Sequence, residues 1–302
     1  MIDRIFSIGY RRLNGASRHH FAPWPIARTA LQLAWRRRAT KVALLFCFGG
    51  LIVHGVWMIS QVLLHQFEPQ FAGSPNMADA TFGNAQEVLA SFVQAQFFTT
   101  AVAMAIVTAG FVADDRHAGA FDLYFARPLT RMDYALGKCI AAAALPMVTI
   151  LAPALLLWFV AVGGTDADSG QGLWSLGLPT LATSLCAAAW LTGVMIGLSS
   201  LGEKSRTVGA TFIAVLFGLM ALGEALPAAG SALGGYLSPV RDLRTLTQGL
   251  LDVTGTSVSG ALLNRHGGSL NGSAFLSFAA LALQSTVGFG GLAWRLRREV
   301  VG

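Results

Sequence analysis

Six runs of predominantly apolar residues, at about 42–64, 91–113, 139–163, 174–199, 207–228 and 273–294, constrain this chain more than any other feature. A bilayer core takes about twenty apolar residues in helix, and each run is long enough. Only 12% of the 302 residues are charged and 54% are hydrophobic, with a mean hydropathy of +0.58. Soluble domains carry about 25% charge, so a water-soluble core could not hide this surplus. The expected fold is an all-α membrane protein with six transmembrane helices. Pro146 and Pro153 fall in the third run and Pro179 near the start of the fourth. Such prolines are tolerated where neighbours satisfy the freed carbonyls.

The basic residues orient the spans. All but three of the 21 fall in 1–41, 114–138, 203–206 or 295–298, on one side. The other side holds Arg241, Arg244 and Arg265 against Glu68, Asp79, Glu87, Asp166, Asp168, Asp242 and Asp252. Positive-inside bias predicts both termini in the cytoplasm, which an even span count also requires. The net charge of +6 is thus a topology signal and no nucleic-acid footprint. The first forty residues lack the apolar stretch of a cleavable signal. Three segments follow: 1–41, a cytoplasmic N-terminal segment; 42–296, the six-span unit; and 297–302, a cytoplasmic tail.

Within the first segment, 23–41 predicts an N-terminal amphipathic interfacial helix. Arg28 and Arg36–Arg38 supply charge, Leu31 and Trp35 apolar contact, and Trp24 suits headgroup depth. On the opposite side, 229–272 forms a long extracytoplasmic connection. Inside it, Val240, Leu243, Leu246, Leu250 and Leu251 mark a short helix dipping into or resting on the outer surface, with Pro239 in its first turn. The sequon at Asn271-Gly272-Ser273 is a three-residue match to which no function attaches.

Catalytic and metal constellations are missing from the sequence. "GEKS" at 202–205 lacks the glycine spacing of a phosphate loop. Cys47, Cys139 and Cys186 have no metal-ligand spacing. No covalent chemistry, cofactor or metal is expected of the chain. His54 in the first span and Glu224 in the fifth are the possible polar residues of a transport path, although the ordinary role of a lone membrane histidine is a hydrogen bond to a neighbour. Gln94, Gln96 and Gln284 suit contacts between helices, and Gly193 and Gly197, four apart, suit close helix packing.

Against this background "DDRHAGAFDLYFARPLTRMDYALGK" (114–138) stands out as a charged cytoplasmic connection between spans 2 and 3. Its spacing predicts that Asp114 and Asp115 end the second span and that a short helix runs from about Ala118 to Ala126. Phe121, Tyr124 and Phe125 would line one face of that helix, and Arg127-Pro128 would close it. Thr130 then suits an N-cap with Asp133 three residues later. Aromatic residues rimmed by Asp115, Arg116, Asp122 and Arg127 have the composition of a protein docking site.

These residues resemble the membrane subunits of ABC-2 type ABC transporters, the exporter-class permeases. The resemblance rests on the acidic–Arg pair Asp115-Arg116, on Gly119, on Phe121 to Pro128, on Leu129-Thr130-Arg131 and on Gly137-Lys138. The six-span layout, the amphipathic helix and the long outer connection extend it over nearly the whole chain. It implies a cytoplasmic coupling helix that docks an ABC ATPase subunit carrying the ATP and Mg, and a second permease copy, identical or not, in the cytoplasmic (inner) membrane. A non-transporting membrane scaffold that anchors a cytosolic ATPase or other partner would use the same segment.

Overall fold

The computed structural model describes residues 23–67, 85–120, 130–164, 173–231, 233–253 and 273–298. Within them every regular element is helical: α1 Pro23–Arg36, α2 Arg38–Phe67, α3 Ala85–Val107, α4 Gly110–His117, α5 Arg131–Pro146, α6 Ala152–Gly163, α7 Gly177–Leu201, α8 Ser205–Ala228, α9 Pro239–Leu251 and α10 Ala274–Arg298. Six helical spans are long and apolar enough to cross a membrane, with α3–α4 and α5–α6 each counting as one. This matches the six runs read from the sequence.

α7 is the central helix, packing on α10, α5, α9, α3, α4, α6 and α8. Glycine makes the closest of these crossings possible. A Cβ at Gly197 would stand 2.6 Å from the Gly288 carbonyl oxygen, and one at Gly193 would stand 2.7 Å from that of Ser285. Small residues let backbones approach where lipid supplies no hydrophobic drive. The polar glutamines also work between helices. Gln96 donates to the Cys47 carbonyl (2.8 Å), Gln94 to Thr247 (3.0 Å), and Gln284 accepts from Trp190 Nε1 (2.6 Å).

Two spans are interrupted. In the second, Thr108 and Ala109 separate α3 from α4. In the third, a π-helical turn over Met147–Leu151 lies between the two prolines. Pro153 has no N–H and its ring collides with a carbonyl four residues back, so an ordinary turn cannot run through it. Thr149 donates to the Leu145 carbonyl (2.9 Å) and shares a hydrogen bond with Thr100 of α3 (2.8 Å), which ties the turn to its neighbour.

α1 buries Ile26, Ala27, Ala30 and Ala34, packs mainly on α5, and leaves Trp24, Leu33 and Trp35 exposed. Its apolar residues thus divide between a protein-facing stripe of Ile26 and three alanines and an outward set of large side chains. A Cβ at Gly137 would meet the Pro23 carbonyl and Ile26 at 2.8 Å, so α1 lies directly on the α5 backbone.

α9 takes the place of the expected short helix and is set into the bundle. It packs against α10, α7, α3 and α8. Leu243, Leu246 and Leu251 are buried, and Leu250 stays exposed. Ser238 caps it by accepting from Arg241 N (3.3 Å), and Pro239 occupies the first turn.

Candidate functional site: the junction of the second and third spans

The 114–138 connection leaves from α4 and returns through α5. Ala109 stands in the N-cap position of α4 and its methyl group cannot cap it, so the first amides need acceptors from elsewhere. Ser199 of α7 provides one. Its Oγ accepts from Val112 N (3.1 Å) and Ala113 N (3.2 Å) and donates to the Ala109 carbonyl (2.7 Å). A side chain from another helix thus performs the N-cap's task.

The last turn of α4 carries Asp114, Asp115 and Arg116, and each reaches a different element. Asp114 pairs with Arg37, between α1 and α2, at 3.4 Å. Both side chains are about half exposed, so this contact adds little. Arg116 donates to the carbonyls of Leu201 (3.2 Å) and Gly202 (3.5 Å), which end α7, and lies 3.9 Å from Glu203. A guanidinium at that position satisfies orphan carbonyls and complements the helix dipole.

Asp115 makes the tightest link. Its Oδ2 accepts from Lys138 Nζ at 2.6 Å and from Tyr134 OH at 2.9 Å. Tyr134 and Lys138 are four apart on one face of α5, and both are buried. The ammonium lies 5.5 Å from the Tyr134 ring centre. α5 itself opens with the expected capping box. Thr130 Oγ1 accepts from Asp133 N (3.1 Å), and Asp133 Oδ2 accepts from Thr130 N (3.1 Å).

The second span differs from expectation at its end. The helix runs past Asp114 and Asp115 to His117, and Ala118 and Gly119 form a turn where a new helix was expected to begin. Gly119 has φ +63°, a left-handed conformation that glycine adopts without strain. Ala120 is again helical. Phe121, Asp122, Tyr124, Phe125, Arg127 and Pro128 lie outside the described residues.

The other singled-out residues sit apart from this junction. On α1, Arg28 and Trp35 are exposed and Leu31 is partly buried. His54 holds the Gly50 carbonyl at 2.8 Å through Nδ1, which must carry the proton because a carbonyl only accepts. Its ring packs on Trp57 and edge-on to Phe92. Glu224 is exposed on α8, and its charge acts on Arg244. The two are not brought into one site. A groove of about 690 Å³ between α3 and α8 is lined by Val102, Ala105, Ile106, Gly209 and Ile213, with Arg206 among its few polar residues.

Sequence reasoning placed Lys138 and Tyr134 in the segment without giving them a partner, and it missed Ser199. For Asp115 and Lys138 the signal was opposite charge at the two ends of one connection. Ser199 gave no signal, being one serine in a span 87 residues from its amide partner.

These features define a polytopic helical membrane protein whose charged connection between the second and third spans is tied to several other parts of the bundle. The profile of the ABC-2 family transporter proteins matches residues 24–291. The chain therefore belongs to that family and is the membrane permease component of an ABC transporter. No curated protein matches it.

Proposed function

We propose that the chain is the permease subunit of an ATP-driven exporter, with both termini in the cytoplasm and the bundle in the cytoplasmic membrane. A separate ABC ATPase docks on residues 114–138, aided by α1, and a second permease copy completes the path. ATP and Mg act on the ATPase, and the chain itself catalyses no covalent step. The observation that supports this reading is the divergent anchoring of Asp114, Asp115 and Arg116. A displacement of the connection acts on α5 through Lys138 and on the end of α7 through Arg116. The α3–α8 groove opens on the same span, at Val102, Ala105 and Ile106 of α3.

The test is co-purification of the native ATPase with the wild type and with Phe121→Glu and Arg127→Glu. Either substitution is expected to release the ATPase while leaving the permease folded. Retention of the ATPase by both variants would overturn docking on this segment. If the ATPase stays bound and hydrolyses ATP in liposomes while no solute moves, the complex is an anchoring scaffold.

A further inference from the structure

α9 buries polar as well as apolar residues. Thr247, fully buried, accepts from Gln94 and donates to the Arg244 carbonyl (2.9 Å). Thr245 donates to the Arg241 carbonyl (3.0 Å). Asp242 is different. It is 1% exposed, its Oδ2 has no hydrogen-bond partner, and it forms no ion pair among the described residues. Beside it on α10 is Ser277, 0% exposed, whose hydroxyl acts on the carboxyl without a well-formed hydrogen bond to it or to any other group. An ionised carboxylate in such a seam loses water without gaining an ion pair, a cost that the neutral carboxyl does not bear, and a hydroxyl beside it only partly offsets that loss.

Few charges face this seam. On α9, Arg241 turns its Nη1 to the Gly223 carbonyl (3.4 Å) while its charge still acts on Asp242, and Arg244 is influenced by Glu224 of α8. α3 contributes the buried Glu87 in its first turn, and the turn Gly234–Leu237 contributes Tyr236, whose hydroxyl accepts from Ser273 N (3.3 Å). α7 carries no charged side chain, and the charges of α10 are confined to its last turn, at the far end.

We propose that Asp242 is a proton-binding site that sets how firmly α9 is seated on the bundle. The neutral carboxyl stays in the seam against Ser277; the ionised one requires water and loosens the first turns of α9. Burial pushes the Asp242 carboxyl from 3.8 up to about 7, while the Ser277 hydroxyl and Arg241 pull the other way. The seated state therefore binds the proton more tightly than the unseated one. Seating is strongest below the ordinary carboxylate range, weakens as pH rises from about 4 to about 7, and levels off above. The site lies on the face that the proposed topology puts outside, and the inference rests on the packing of α9 alone.

Two measurements on the full-length protein in nanodiscs test this. Infrared titration is expected to show one protonated-carboxyl stretch that disappears near pH 7 and is missing from Asp242→Asn. In Ser277→Ala the same band should persist to higher pH. Hydrogen-exchange protection of 239–251, corrected for intrinsic rates, is expected to fall about tenfold per pH unit between pH 5 and 7 in the wild type and to stay level in Asp242→Asn. A wild type with no such band, or α9 protection that varies equally with pH in both proteins, would overturn the proposal. The wild-type spectrum decides the first point even if Asp242→Asn does not fold.

Discussion

Lys138 Nζ stands 2.6 Å from Asp115 Oδ2, so the last turn of the second span is bonded to the second turn of the third. The carboxylate also accepts from Tyr134, and the ammonium is almost fully enclosed. This contact closes the connection at its base, whatever the residues between are doing.

Removing one partner strands the other charge. Lys138→Met is expected to destabilise the protein by about 3 kcal/mol, less than a fully dry pair would cost because Asp115 keeps some exposure. Adding Asp115→Asn should recover much of that loss. Chemical unfolding of the two singles and the double gives the coupling. Additive losses would show that the pair does not act as a unit.

Ser199→Ala removes the acceptor for two amides and the donor to one carbonyl at the start of α4. A loss of about 2 kcal/mol follows from leaving buried backbone groups unpaired. Exchange of the Val112 and Ala113 amides should quicken more than exchange in the middle of α3. Unchanged exchange at those two amides would contradict the capping role.

A Cβ at Gly119 would meet nothing within 4 Å, so Gly119→Ala tests conformation alone. With φ at +63° the cost should be about 1 kcal/mol. Gly119→Asn should cost less, since asparagine visits this region more readily. Thermal melts of the three proteins rank them, and equal melting points for alanine and glycine would show that the turn is not held left-handed.

What could be read in the sequence follows the range of the interaction. Six spans, the Thr130–Asp133 box and Pro239 at the head of α9 all depend on residues within a few positions of each other, and all appear as expected. Gly193 and Gly197 announced close packing by spacing, but their partners at Ser285 and Gly288 belong to the fold. Ser199 and Asp242 were illegible for one reason: nothing local distinguishes a buried serine or aspartate from an exposed one. The apolar face of α1 was legible, but not its division between α5 and the outside, because α5 is nearly a hundred residues further along the chain.

The π turn at Met147–Leu151 sets the phase of the third span. In α5 the buried stripe runs through Tyr134, Lys138, Ala141 and Leu145. Continued at an ordinary helical pitch, it would reach Val148, Ala152, Leu156 and Phe159, and all four are exposed. The extra residue in the wide turn steps the stripe by about 100°, and it re-emerges one position later at Thr149, Pro153 and Leu157. The span is thus two threads cut in one rod with an offset between them. The first half packs on α1 and the second on α2, while α7 and α3 meet both. The span can present one face to α7 along both halves, with α1 beside the first and α2 beside the second, only while that one surplus residue stays in the turn.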